Sequence, residues 1–238
     1  VWMVEPRRGL SDPTSPTPQP AAMPSLLDGL RSLASSGPAI HLILAVTITS
    51  LVGYATANFG PSYLQRSFGM TILQISLIYA PAVALTGAFG GVVGGRIADA
   101  LGKRHGLYIQ AWFVAALKLA ALPFTVLFYF TYDLSLGLGA ILVSYVLASS
   151  YLGPSFALIQ GLAPTRMRAV WAAITLLVIN LIGLGLGPSI TGLLSDLYKP
   201  TFGDQSLRYA LMSASLLTPR ALFHYWRAGV LLKRMKTA

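Results

Sequence analysis

The chain has 238 residues, 55% of them hydrophobic and only 10% charged, with a net charge of +10. A soluble domain usually carries about 25% charged residues, so a mean hydropathy of +0.66 points to a membrane protein rather than to water-soluble domains. The chain has no cysteine, which excludes a disulfide framework and a thiolate metal site. A basic excess can signal nucleic acid, but the placement of the charges argues against it, as follows below.

The first four residues, Val1–Val4, are apolar and stop at Glu5-Pro6-Arg7-Arg8-Gly9. They read as the remnant of a preceding transmembrane helix, because no basic segment precedes them as in a secretory signal. Residues 5–38 are rich in Pro and Ser, cannot bury a core, and read as a cytoplasmic linker. Within that linker, Ser25–Ser35 has the pattern of a short amphipathic helix lying at the membrane interface.

Six apolar runs follow, at about 39–59, 72–96, 107–130, 134–163, 169–195 and 208–230. Each is longer than the roughly 20 residues that a membrane-spanning helix needs. The expectation is an all-α membrane protein, with a six-helix transmembrane half-domain over 39–230 and a cytoplasmic tail over 231–238. The third run holds Lys118 and the sixth holds Arg220. Pro81, Pro123, Pro154, Pro188 and Pro219 fall inside the runs, where a bundle can still satisfy the freed backbone groups. Glycines in "GAFGGVVGG" and "GLGLGP" allow close helix approach.

Six crossings put alternate loops on the same side of the membrane. One side holds the linker, the loop at 97–106, the loop at 164–168 and the C-terminus, with twelve of the seventeen Lys and Arg residues counted at the ends of their flanking helices. The other holds three, Arg66, Lys199 and Arg208, and Lys118 and Arg220 lie within spans. This bias places the linker and C-terminus in the cytoplasm and accounts for the net charge without nucleic acid. The expected setting is a multi-pass protein of a bacterial inner (plasma) membrane.

In chain order, the first run carries Thr47, Ser50, Tyr54 and Asn58 on one helical face. Such a stripe either lines a cavity or glues two helices together. The loop after the second run reads Gly95-x-x-x-Asp99-x-x-Gly102-Lys103-Arg104. There Gly95 favours close packing, Asp99 suits the amides at a helix N-terminus, Gly102 suits a left-handed turn, and the two cations hold the loop on the cytoplasmic side. The fourth run offers Tyr145 and Ser149 one turn apart, with Gly153 and Pro154 bending the helix beyond them. The fifth offers Asn180 and then Gly183, Gly187 and Pro188, which serve either gating or packing. His41, His105 and His224 are scattered and match no metal-ligand spacing. The chain shows no nucleotide-binding loop, and no metal site or cofactor is expected.

The loop pattern resembles the signature of the major facilitator superfamily, G-x-x-x-D-R/K-x-G-R/K-R/K, with Ala100 where a cation is usual. "EPRRG", "YLGPSFALIQGLAPTRMRA", "GLGLGPSITGLLSD" and "FGDQSLRYAL" together look like the C-terminal half of spinster-type transporters. The resemblance implies one half of a major facilitator fold, whose missing N-terminal six-helix half would be the partner. It implies that the loop from Gly95 to Arg104 latches one conformation. It also implies that the first, second, fourth and fifth helices face a central cavity while the third and sixth face lipid. On that placement Lys118 is expected to snorkel to the interface, although an ionisable group at membrane depth is by default a functional candidate. Arg220, His224 and Arg227 share a face and are expected to reach headgroups.

The expected function is secondary-active transport of a small, amphiphilic or lipid-like solute by alternating access. The alternatives are a non-transporting scaffold or receptor and a membrane-embedded enzyme. No carboxylate lies in the middle of a span, so any ion-coupling acid is expected in the partner half.

Overall fold

A computed structural model describes residues 25–237, and every element among them is helical. The expected helix remnant at Val1–Val4, the linker up to residue 24 and the last residue of the tail lie outside the described residues. The amphipathic segment forms as α1, Leu26–Ala34, opened by a reciprocal capping box. The Ser25 hydroxyl donates to Asp28 Oδ2 at 2.6 Å, and the Asp28 amide donates back to Ser25 Oγ at 3.1 Å. These bonds from Ser25 hold the Asp28 carboxyl below the usual carboxylate range. Gly29 lies against Val170 and Ile174, and Leu33 joins the core, so α1 docks on the bundle.

The longer elements are α2 (Gly37–Phe68), α3 (Ile72–His105), α4 (Tyr108–Phe130) and α5 (Leu134–Leu162). After these come α6 over 165–202, α7 (Ser206–Ser215) and α8 (Thr218–Thr237). Five helical segments are long and apolar enough to cross a membrane, and the last, Thr165–Lys236, has 72 residues. Straight, it would measure about 108 Å at 1.5 Å per residue, far beyond a hydrocarbon core of about 30 Å. It reverses at Gly203, whose φ of 53° lies in the left-handed region, and α7 runs back along α6. The Tyr198 and Ser213 hydroxyls meet across that pair at 3.0 Å. The first four expected runs each coincide with one helix; the fifth and sixth fall on either side of this reversal.

Three internal prolines sit just after a local change of helical pitch. Pro81 and Pro188 follow wide π turns at Ile75–Tyr79 and Ile179–Leu184, and Pro154 follows a tight turn at Ser149–Tyr151. Proline supplies no N–H to the carbonyl one turn back. A change of pitch re-routes those bonds without leaving the helix.

Glycines set the closest approaches. Gly90 and Gly94 lie against α5, where Ser150 Oγ donates to the Gly90 carbonyl at 2.8 Å. Gly183 and Gly187 lie against Ser50 and Leu51 of α2. Two apolar cores form, one toward each end of the bundle. Leu42, Val46, Leu158, Trp171 and Tyr225 anchor the basic end, and Tyr63, Leu64, Phe128, Tyr129 and Leu211 the other. Leucines such as Leu85, Leu119 and Leu181 stand outward, as lipid contact allows.

A Cβ at Gly90 would run into the Val146 carbonyl, whereas one at Gly91 meets nothing within 4 Å. Gly90→Ala should therefore lose about 1–3 kcal/mol through overpacking. Gly91→Ala should be neutral or gain up to about 1 kcal/mol of helix propensity. Unfolding of the two variants in one detergent compares them, and equal stabilities would contradict the α3–α5 packing.

Candidate functional site

At the basic end, the helix of α3 continues through Gly95, Asp99, Gly102, Lys103 and Arg104 to His105, so the connection to α4 is only Gly106 and Leu107. The left-handed turn expected at Gly102 occurs instead at Gly106, with φ 106°. Gly102 is helical and lies against the Gln110 side chain, where a larger residue would collide. A Cβ at Gly95 would meet no neighbouring atom within 4 Å; the tight contacts belong to Gly94 and Gly90, one and five residues earlier. Asp99, Lys103 and Arg104 are exposed. Lys236 of α8 donates to the His105 carbonyl at 3.1 Å and ties the two helix ends together.

The polar stripe of α2 divides. Thr47 and Ser50 are buried, and Ser50 Oγ meets the Tyr151 hydroxyl of α5 at 3.2 Å. A Cβ at Gly183 would lie 3.1 Å from Ser50 Cβ and 3.3 Å from the Tyr54 ring, so the two helices pack closely there. This upper stretch therefore joins α2 to α5 and α6. Asn58 is exposed and donates to the Tyr54 carbonyl at 2.9 Å. Asn180, likewise exposed, donates to the Leu176 carbonyl at 2.8 Å. Both asparagines thus quench part of their polarity on their own helix. Gly153 is exposed with open space around it, whereas Pro154, Gly183 and Gly187 are buried or close-packed and Pro188 is half-buried.

Tyr145 and Ser149 line a cavity of about 250 Å³ between α2, α4, α5 and the α7–α8 break. Its wall also contains Thr49, Val52, Gly53 and Thr56 of α2 and Lys118, Ala121, Leu122 and Thr125 of α4. On each helix these positions fall between those of the two cores, so the cavity sits at mid-depth. Thr125 and Ser144 meet across it at 2.7 Å. Lys118 does not snorkel. It is buried, with Nζ 4.3 Å from the centre of the Tyr151 ring. The outward face expected for its helix is real at Leu119, which is 61% exposed, but Lys118 is its neighbour on the opposite side.

Two further contacts have no signature in sequence spacing. His41 and His224, 183 positions apart, bring their Nδ1 atoms to 2.8 Å between α2 and α8. His224 is therefore buried rather than reaching for headgroups, although Arg220 on the same face is exposed. Arg208 is also buried, with its guanidinium 4.2 Å from the Tyr132 ring centre.

The architecture is that of an apolar helical bundle with one basic end and broken helices around a mid-depth cavity, a class that includes membrane transporters. No family model matches the chain. It is 30% identical over 216 residues to an "MFS-type efflux pump" of Mycolicibacterium smegmatis, a match covering 90% of this chain and 50% of the pump. Its fold matches the crystal structure of a bacterial homologue of the human lysosomal transporter Spinster, inward-facing and unoccupied. The TM-score is 0.81 at 22% identity, over 98% of this chain and 55% of that one. The occupied inward-facing form of that homologue matches at TM-score 0.72 and 21% identity, over 82% of this chain and 50% of that one. The chain is thus a homologue of an MFS-type efflux pump, has the fold of part of a spinster-type transporter, and spans about half the length of each.

The histidine contact joins the first and last long helices. His41→Leu and His224→Leu should each destabilise, and a double-mutant cycle should show coupling of about 0.5–1.5 kcal/mol. Additive losses on thermal unfolding would mean that the two rings do not bond.

Proposed function

We propose that the chain is one six-crossing half of a major facilitator transporter that moves a small solute by alternating access. The observation that carries this reading is the likeness to an inward-facing transporter along nearly the whole chain. The reversal at Gly203 supports six crossings, with 165–202 and the α7–α8 pair each crossing once. The second half would be a body of similar size, as the doubled length of the relatives suggests. The substrate pathway would run between the halves near mid-membrane. The exposed asparagines Asn58 and Asn180, together with Tyr54, are the side chains we assign to that pathway.

The basic end of the bundle faces the cytoplasm on the charge bias, in a bacterial plasma membrane. The exposed Asp99, with Lys103 and Arg104, is free to meet the second half there and to latch one conformation. The pitch changes before Pro81, Pro154 and Pro188 offer places for α3, α5 and α6 to flex. With no carboxylate in the middle of a span, this half suits an amphiphilic or weakly polar solute, and export is the direction carried over from the pump relative.

Native membrane vesicles from cells expressing the intact gene should move Nile red, an uncharged amphiphilic dye, faster than vesicles from cells without it. Asp99→Asn alters an exposed residue, so folding should survive while the rate falls roughly tenfold, as loss of about 1.4 kcal/mol of latching would give. A rate equal to that of empty membranes, or an unchanged rate in Asp99→Asn, would count against the transporter and the latch respectively.

A further inference from the structure

A second hollow adjoins the mid-depth cavity. It is a groove of about 440 Å³ between α4 and α7, walled by Val126, Phe130, Met212 and Leu216. Cavity and groove share Leu122, Thr125, Tyr129 and Ser215 as lining residues, so the two hollows adjoin along these side chains. The cavity end is rich in hydroxyls, including Thr56, Thr125, Ser144 and Ser149, and contains a single cation, Lys118. The groove end is apolar and opens where Val126, Phe130 and Leu216 are exposed on the outer surface of the bundle.

Lys118 is the unexplained group of this space. It is 8% exposed, and no carboxylate lines the cavity. The Tyr151 ring beneath its ammonium offsets part of the desolvation but brings no counter-charge, and a buried cation without one is costly. An anion entering the cavity would supply it. The single ammonium matches a singly charged head, whereas a phosphate draws several cations or the fork of an arginine. The Thr125 hydroxyl, at the junction of cavity and groove, donates to the Ala121 carbonyl at 3.1 Å and meets Ser144 at 2.7 Å, and either hydroxyl would reach the same head by exchanging one of these bonds. The groove has the volume of a small-molecule site, and the exposed apolar side chains at its mouth, Val126, Phe130 and Leu216, suit an alkyl chain.

We infer that this space binds a long-chain fatty acid, with the carboxylate at Lys118 and the chain lying along the α4–α7 groove. The site is formed by residues of this chain alone. It stands whether or not the transport reading holds.

The test is fluorescence titration of the full chain in phosphatidylcholine nanodiscs with cis-parinaric acid, a fluorescent fatty acid. Binding should be saturable, weakened at least about tenfold by Lys118→Met and restored to within about threefold by Lys118→Arg. Palmitate should displace the probe, while hexadecanol, with the same chain and no charge, should do so at least about tenfold more weakly. Leu216→Trp, at the exposed mouth of the groove, should also weaken binding and keeps the test decisive if Lys118→Met does not fold. Unchanged affinity in Lys118→Met or in Leu216→Trp overturns the site, as does hexadecanol competing as well as palmitate. Displacement by phosphatidylglycerol as effective as by palmitate would overturn the fatty-acid assignment and give the site to a bilayer headgroup.

Discussion

Inside a bilayer no water is present to bond a bare amide or carbonyl, so the backbone must satisfy itself within each helix. Most of the architecture follows from that constraint. It makes every described element helical. It also turns each internal proline into a local problem, which the chain resolves at Pro81, Pro154 and Pro188 by changing pitch just upstream. Hydrophobic burial does not distinguish one helix face from another when the solvent is itself hydrocarbon. Close approach must then come from small residues, and Gly90, Gly94, Gly183 and Gly187 provide it where α3 meets α5 and α6 meets α2.

The same scarcity of water gives each charged group unusual weight. Cations gather at one end of the bundle, where they can reach water, and the acids stay out of the middle of the spans. Lys118 and Arg208 break this order. Each is buried against tyrosine rings rather than a carboxylate. For Lys118 an adjoining hydroxyl-rich cavity offers room for a counter-ion. For Arg208, the Tyr132 and Tyr63 rings at 4.2 and 5.9 Å are its partners at the other end of the bundle.

Much of the fold was legible because a membrane span is read from length and apolarity alone, and four expected runs coincide with single helices. The amphipathic segment at Ser25–Ser35 was legible too, and it forms as α1. What stayed hidden depends on which side of a helix faces which neighbour. A residue count does not say that Lys118 points inward while Leu119 points out, and only the packed bundle brings His41 to His224. The polar stripe of α2 was half informative. Its spacing marks one face, but that face is used for packing at Thr47 and Ser50 and left open at Asn58. At the loop signature, Gly102 was expected to turn the chain and instead packs on Gln110. The turn needs positive φ only once, and Gly106 supplies it.

The central claim is that the face bearing Asn58 and Asn180 borders a water-containing pathway rather than lipid. Because the chain has no cysteine, single cysteines can report on it without background from this half. A thiol reacts as thiolate, which forms in water and not in hydrocarbon. The direct measurement is the rate of labelling by a water-soluble maleimide of Asn58→Cys and Asn180→Cys in native membranes, beside Leu119→Cys on the outward face of α4. The account predicts fast labelling at both asparagine positions and little at Leu119. Equally slow labelling at all three would mean that the face lies in lipid, and would contradict the account.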